Sequence, residues 1–531
     1  MILPDRDSFI SKAQPGCRQA LVAHFLSDQL TPVLAYRRLV APDERTAPSF
    51  LFESVENGDR VGRFSILGTQ PTVEMIAYAD KVTLRDHHRD QNASRTFSCD
   101  DPLAEVERQM RQRGCSQRAA IITSDACATR LPDAFTGGWV GYASYDTVRY
   151  LEAGKLPFLS APHDDRNLPD LHFGLYETVV IFDHVAKSAS IVTHVMLDDG
   201  ESPGDAWQRG CSAIEAVLQA LNTPAPHLRM GNIDIDVAAL PTPPGTSNFA
   251  CREDFETAVL ETKEYIAAGD AFQVVLSQRF VRNTTADPFD VYRALRVVNP
   301  SPYMIYLQAE GSIMVASSPE ILCRVHDGIV TNRPLAGTRM RGSSIEEDAA
   351  LAQELLADEK ERAEHIMLVD LARNDLGRVC DIGSITLDRI MEIERYSHVM
   401  HISSTVTGHL RSDATCWDAL RATLPVGTVS GAPKVRAMQI IDSLEPTRRG
   451  PYGGGIGGVS FSGNMDIALT LRTMIFPIAA FDKQQRWTVH LQAGAGIVAD
   501  SVPAREYQET VSKAAALGRA IDLAERAFAA G

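Results

Sequence analysis

The sequence predicts an α+β fold, and three observations carry that prediction. From about residue 31 to 200 the chain is dominated by short runs rich in β-branched and aromatic residues: TPVLAYRRLV, FLFESVE, RFSILG, TVEMIAY, YETVVIFDHV and SASIVTHVML. Past residue 250, stretches with helical apolar spacing stand between further strand-like runs. The two kinds of element alternate irregularly, which disfavours a regular doubly wound parallel sheet.

Taken in order, residues 1–30 read as a helical lead-in, followed by the strand-rich region. Within that region GGWVGYASYDTVRYLE (137–152) reads as tight turns packed by large rings. ESPGDAWQRGCSAIEAVLQAL (201–221) has helical spacing, and residues 222–248 collect five prolines with little periodicity, the mark of a linker. CREDFETAVLETKEYIAAGD (251–270) predicts a helix stopped by glycine, and FQVVLSQRF a strand after it. A long helix is expected over 345–371, strands at SIMVASS, DIALTLRTMIF and WTVHLQAGAGIV, and a last helix over 504–529. The boundaries that follow are 1–221, a linker at 222–250, and 251–531. At roughly 100–200 residues per domain, 531 residues accommodate two to four domains.

Composition excludes several classes. The chain carries 52 Lys and Arg against 68 Asp and Glu, a formal net charge of −16, whereas nucleic-acid binding needs a clustered basic surface. No run approaches the roughly 18 apolar residues of a membrane span. The start, MILPDRDSFISKAQPG, has neither the basic-then-apolar order of a signal peptide nor the Arg-rich, acid-poor character of a transit peptide. Nine cysteines, an odd number with no C-x-x-C pair, read as reduced thiols of a cytoplasmic protein.

Gly453, Gly455 and Gly458 satisfy G-x-G-x-x-G, but β-type residues follow them where a dinucleotide site needs a helix, so a close-packed turn is the better reading. Two carboxylate doublets carry more. Glu361 and Glu364 share one helix face, and Glu506 and Glu509 repeat the spacing on a second helix. Brought together, the four would repel unless a hard divalent cation such as Mg²⁺ lay between them; the alternative is two solvated helix faces. Three small-residue turns join them: Ala493–Gly496 just ahead of the second doublet, TVSGAPKVRAM (428–438) with the Thr428 hydroxyl, and RPLAGTR (333–339). Arg472 stands in an otherwise apolar strand. Exposed backbone N–H groups, an arginine and carboxylates together suit a small polyanion.

FQVVLSQRF, NPSPYM, SSPE, PLAGTR, EHIMLVDLARNDLGR, VMH, TVSGAPKVRAM, RRGPYGGG, LQAGAG and the final Glu-x-x-Glu occur in that order. In this the chain resembles the large subunits of anthranilate synthase, chorismate-utilising enzymes. The likeness is densest over 253–515, with GGWVGYASYD and FLFESVENGDRVGRFS resembling the N-terminal part. The resemblance implies a large antiparallel β-sandwich flanked by helices. It also implies addition of ammonia to chorismate, loss of the ring hydroxyl, and elimination of pyruvate to leave anthranilate, the first step of tryptophan biosynthesis.

By the same resemblance Glu320 is the general acid, His401 serves the elimination, and Thr428, Gly337 and Thr338 shape the pocket. Tyr452, Arg472, Gly494, Ala495 and Gly496 hold the enolpyruvyl carboxylate. Glu364 and Glu509 bind Mg²⁺, with Glu361 and Glu506 behind them or joined through water. Related isochorismate and salicylate synthases carry Lys at the position of Gln273, where an amine can activate water; ammonia needs no such base. Aminodeoxychorismate synthases often carry Lys in the turn that here holds Ala336. Glu53, Ser54, Asn299, Pro302, Tyr303 and Met304 match tryptophan-binding elements, implying feedback inhibition. The run GGVSFSGNMDIALTLRT resembles the plant-type branch. Gly458 departs from the aromatic of some bacterial members near the effector, and Ser512 precedes Lys513 where the family usually has Asn. No segment carries the Gly-rich Cys turn of a glutaminase, so a separate glutamine amidotransferase subunit, in a hetero-oligomer, is expected to supply ammonia. An aminodeoxychorismate synthase and a non-catalytic chorismate or tryptophan sensor are the alternative readings.

Overall fold

In the computed structural model, residues 1–41, 47–56, 60–87, 93–113, 131–198, 200–224, 228–232, 245–396 and 399–528 are described. They build the expected α+β architecture from two large sheets of antiparallel ladders. The first, of 13 strands, runs from Ile2–Leu3 and Arg18–Leu26 at one edge through Ser49–Glu56, Tyr303–Ala309 and Trp487–Ile497 to Gln273–Thr284 and Thr246–Ser247. The second, of 12 strands, runs from Leu335–Met340 and Val399–His409 through Met465–Leu469, Gly455–Ser460 and Gly138–Ala143 to Ala93–Ser98.

Both sheets mix strands from either side of the proline-rich stretch. Ser49–Glu56 pairs with Tyr303–Ala309, with Glu53 opposite Met304, and Gly138–Ala143 pairs with Gly455–Ser460. The segments 1–221 and 251–531 are therefore interleaved strand by strand. Of the linker 222–250, residues 225–227 and 233–244 lie outside the described residues.

The sheets face each other across a core of alternate side chains, with Phe50, Ile305 and Met314 from the first against Val140, Tyr142 and Ile456 from the second. The other face of the first sheet is covered by helices that include Pro203–Asn222, Pro288–Val298 and Pro503–Ala527. Pro102–Gln112, Glu359–Gly377 and Cys416–Thr423 pack on the second. Apolar burial on both faces of both sheets explains why so many strands read as continuous apolar runs.

Four expectations are corrected. TPVLAYRRLV is the helix Pro32–Leu39: the Thr31 hydroxyl accepts from the Leu34 N–H (3.2 Å) and Pro32 opens the helix. Val33, Tyr36 and Val40 then share one buried face, a period the β-rich composition hid. The lead-in at 1–30 is helical only over Arg6–Lys12, with strands Ile2–Leu3 and Arg18–Leu26 on either side. The helix expected over 345–371 is two, Ile345–Ala357 and Glu359–Gly377, because Asp358 ends one and caps the next, its Oδ1 accepting from the N–H groups of Lys360 (3.0 Å) and Glu361 (3.2 Å). DIALTLRTMIF likewise splits into Met465–Leu469 and Thr473–Pro477. Of the glycines expected to form a close-packed turn only Gly453 lies in one; Gly455 and Gly458 belong to the strand Gly455–Ser460, and no helix follows them. The seven cysteines among the described residues are free thiols; Cys115 and Cys127 lie outside them. Among the described residues no helix is long and apolar enough to cross a membrane.

Phe173, fully buried on Leu171–Tyr176, stands edge-on to Trp417 of Cys416–Thr423 at 5.3 Å between ring centroids, joining the two parts of the chain. Phe173→Ala should cost about 3–5 kcal/mol, seen as a lower urea midpoint when unfolding is followed by circular dichroism and by tryptophan fluorescence.

Candidate active site

The site lies where Gln273–Thr284 and Trp487–Ile497 meet the turn 427–429 and the two carboxylate-bearing helices. A buried ion pair organises it. Arg449 donates to Glu445 through Nε (2.9 Å) and Nη2 (2.6 Å), to the Val429 carbonyl (2.5 Å) and to the Val275 carbonyl (2.6 Å). Glu445 in turn accepts from the Ser277 N–H (2.7 Å) and hydroxyl (2.9 Å). The pair thus ties the 427–429 turn to the central strand, and Thr428 is held above it.

Thr428 donates its hydroxyl to Glu320 Oε1 at 3.0 Å. Glu320 sits just past the strand Ser312–Ser318 and is buried. Burial pushes its carboxyl up to about 8, against the opposing effects of the Thr428 hydroxyl and the Arg472 charge. It is therefore a protonated acid at neutral pH. Arg472 is not inside a strand, as expected, but in the connection between Met465–Leu469 and Thr473–Pro477. Its backbone there has φ +47, and its carbonyl accepts from the Ser317 N–H (3.1 Å). Burial lowers its pKa from the ordinary arginine value, with Tyr396 and Glu320 opposing.

His401, buried on Val399–His409, places Nδ1 2.8 Å from the Gly337 carbonyl and 3.1 Å from the Thr338 hydroxyl. A carbonyl only accepts, so Nδ1 carries the proton and Nε2 keeps its lone pair. Burial, aided by the Arg472 charge, holds the ring down to about 4, so it is neutral. PLAGTR is a bulged edge strand, Leu335–Met340, instead of the expected turn. Gly337 stands there at φ +66, where a Cβ would lie 3.1 Å from Glu361 Oε2.

Ala493–Gly496 is also not a turn: it continues the strand Trp487–Ile497, paired with Gln273–Thr284. The N–H groups of Val275 and Ser277 point away from that partner, to Ser430 and Glu445. By the alternation of the ladder, Gly494 and Gly496 then turn their backbone groups to the far edge, which Thr473–Pro477 covers only as far as Leu491. Tyr452 stands at that edge against the Gly494 N–H, and Lys513 Nζ donates to the Gly494 carbonyl (3.0 Å).

The doublets converge from two helices. Gln273 Nε2 donates to Glu364 Oε1 (2.8 Å), while Gln273 Oε1 is buried without a partner among the described residues. Glu364 has a raised pKa, from burial and then from the negative charges of Glu361 and Glu509. Glu506 is raised by burial and by Glu509. Arg339 Nη1 donates to Glu361 (3.2 Å), and Lys513 Nζ pairs with Glu509 (2.7 Å). Among the described residues no three His, Cys, Asp or Glu side chains are drawn into a closed metal cage. The donor set is all carboxylate oxygen, with Glu364 and Glu506 raised by burial and by neighbouring carboxylates, and has the chemistry of a Mg²⁺ site. Lys513 and Tyr396 were missed at sequence level. Lys513 is readable as the i+4 partner of Glu509; Tyr396, edge-on to His401 at 5.6 Å and bonded to Glu394 (2.7 Å), had no local signal.

The residues expected to bind an effector gather near the seam where Ser49–Glu56 pairs with Tyr303–Ala309, with Tyr303 opposite Ser318 on the strand that leads to Glu320. Glu53 accepts from the Tyr292 hydroxyl (2.7 Å) and pairs with Arg296 (2.8 Å). Tyr303 donates to Asp466 (2.9 Å). Glu53, Ser54, Pro302 and Tyr303 line a cavity of about 1420 Å³, while Asn299 and Met304 do not. Gly458 faces Phe135 across it, a Cβ there falling 3.1 Å from that ring.

The family described as chorismate binding enzyme matches residues 48–519. A rice protein (Oryza sativa subsp. indica), anthranilate synthase alpha subunit 1, chloroplastic, is 55% identical over 99% of this chain and 91% of its own length. Anthranilate synthase component 1 of Pseudomonas aeruginosa is 44% identical over 98% of this chain and 99% of its own. The crystal structure of anthranilate synthase component I from Streptococcus pneumoniae TIGR4 superposes with a TM-score of 0.69 at 35% identity, covering 93% of this chain and 99% of that one. The chain belongs to the chorismate-binding enzymes and, within them, to the anthranilate synthase large subunits.

Difference infrared spectra of the parent against Glu320→Gln should contain a protonated-carboxyl band at neutral pH that fades as pH rises through about 8.

Proposed function

We propose that this chain converts chorismate and ammonia into anthranilate, pyruvate and water. The observation that carries the reading is the buried Glu320 carboxyl, kept protonated beside Thr428 and within the field of Arg472. Hydroxide is a poor leaving group, and a neutral acid in a dry pocket can hand it a proton as it departs as water. Ammonia forms the new C–N bond at the ring; Gln273, neutral and with an unmet carbonyl oxygen, suits an amine that needs no base. Elimination of pyruvate then requires a ring proton to leave, and the unprotonated Nε2 of neutral His401 is the base that the geometry supports. Arg472, Tyr452 and the outward backbone groups of Gly494 and Gly496 form the cradle for the enolpyruvyl carboxylate.

Glu364 and Glu509 would hold Mg²⁺, with Glu361 and Glu506 bonding its waters. When bound, the ion would neutralise the doublets and polarise the ring carboxylate of chorismate. The ammonia donor is read as a separate glutamine amidotransferase subunit, in keeping with the "component" and "subunit" names of the relatives. The cavity lined by Glu53, Ser54, Pro302 and Tyr303 is read as a tryptophan site, and the free thiols suit the cytoplasm.

Chorismate, ammonium and Mg²⁺ should yield anthranilate fluorescence and stoichiometric pyruvate. A non-aromatic amino product without pyruvate would identify an aminodeoxychorismate synthase, and no turnover a sensor. Glu320→Gln should lower kcat about 10²–10⁴-fold. Because Glu320 must be protonated to act, activity should fall as pH rises through about 8. The Thr428 hydroxyl stabilises the carboxylate form, so Thr428→Val should move that alkaline limb to higher pH. Glu364→Ala should weaken Mg²⁺ by more than ~10-fold with the fold retained, read by titration calorimetry. Tryptophan at saturation should inhibit; unchanged activity would remove the effector reading.

A further inference from the structure

On the face of the first sheet next to the site, two arginines lie buried with more donors than acceptors. Arg279, on Gln273–Thr284, is 2% exposed, and its cross-strand neighbour is Gln492. His490 stands on the same face, opposite Val281. Arg166 reaches over from the loop before Leu171–Tyr176, its Nη2 donating to the carbonyls of Arg448 (3.2 Å) and Arg449 (2.8 Å). Gly450 permits that approach, since a Cβ there would fall 2.9 Å from Arg166 Nη2.

Arg166 Nη1, Arg279 Nε and Nη1, and His490 Nδ1 are buried without a hydrogen-bond partner among the described residues. Buried donors are almost always met. Gln492 Oε1, also unmet, is placed to serve one of them as Arg279's cross-strand neighbour. His490 is neutral, so its Nδ1 needs no acceptor when the proton sits on Nε2; with Gln492 serving Arg279 Nε, Nη1 of both arginines is left. The nearby carboxylates are already engaged. Asp165 is bonded to Arg279 Nη2. Asp164 accepts from the N–H groups of Arg166 (3.2 Å) and Asn167 (3.1 Å) and from Arg448 (3.4 Å). Asp170 is bonded to Arg448, and Glu445 to Arg449. Two groups feel the neighbouring arginine charges, with Asp165 opposing in both cases. His490 is held down to about 3 and Arg166 to about 10, in each case by burial first and then by a neighbouring arginine charge, Arg166 on His490 and Arg279 on Arg166.

We infer that a small inorganic anion of halide size binds between Arg166 and Arg279, taking the guanidinium N–H groups that the protein leaves unmet. It would join the loop at 161–168 to the two strands that carry Gln273 and Gly494 into the site. This reading is independent of the reaction proposed above.

The test uses the full chain in halide-free gluconate buffer, with bromide as the probe. Bromide should raise Tm saturably by roughly 2–5 °C, and the rise should vanish in Arg279→Gln and in Arg166→Gln, the latter a loop substitution that leaves the strands intact. Bromide-soaked crystals should show an anomalous peak between the two guanidinium groups. A Tm rise that never saturates, or persists unchanged in Arg166→Gln, overturns the site. So does a water at that position with no anomalous signal, and a peak without any saturable stabilisation marks an adventitious ion only.

Discussion

The buried Arg449–Glu445 pair is the constraint on which the rest of the site depends. Both side chains are almost wholly removed from water, and a buried charge is tolerable only when each of its hydrogen-bonding groups is met. Arg449 meets its own by binding two backbone carbonyls from separate segments, Val275 on the central strand and Val429 in the turn. The geometry of Thr428 relative to the strand carrying Gln273 is thereby set by charge satisfaction, not by loop sequence. Removing either partner would strand a charge in the core and free the turn that positions the acid's hydroxyl donor.

Around that anchor the pocket separates protonation states by burial. Glu320 and His401 both feel the Arg472 charge, yet desolvation disfavours the charged form of each, leaving one a neutral acid and the other a neutral base. In the carboxylate doublets, Glu364 and Glu506 are pushed up by burial and then by the charge of neighbouring carboxylates, the condition that a divalent cation relieves. The net charge of −16 is thus a poor guide to ligand choice. Acidic residues gathered on two helix faces make a cation platform, and one arginine with strand-edge amides makes the counterpart for an anion.

Much of this site was legible in one dimension because its parts are local. The Glu-x-x-Glu spacings put each doublet on one face whatever the tertiary fold, and the small-residue segments at 427–432 and 493–496 were visible as places where backbone would be bare. Their conformation was not visible. Ala493–Gly496 is a strand because Gln273–Thr284 lies beside it, and Leu335–Met340 is a bulged strand because Val399–His409 does. The same dependence on distant partners explains TPVLAYRRLV: its β-prone residues are overruled by a Thr31 cap and a helical buried face. Tyr396 escaped notice because its meaning lies in its contact with His401, which has no sequence signature.

The sequence by itself determined the α+β class, the positions of most helices and strands, the two carboxylate pairs and the ordered motifs that mark the family, since periodicity, caps and spacing act over a few residues. Only the tertiary structure decided that strands from before and after the proline-rich stretch share both sheets, that Glu320 is held protonated, and that four of the effector-like residues line a cavity that also reaches Tyr396 beside His401. Each of those follows from long-range pairing and from exclusion of water, which depend on what the rest of the chain brings alongside.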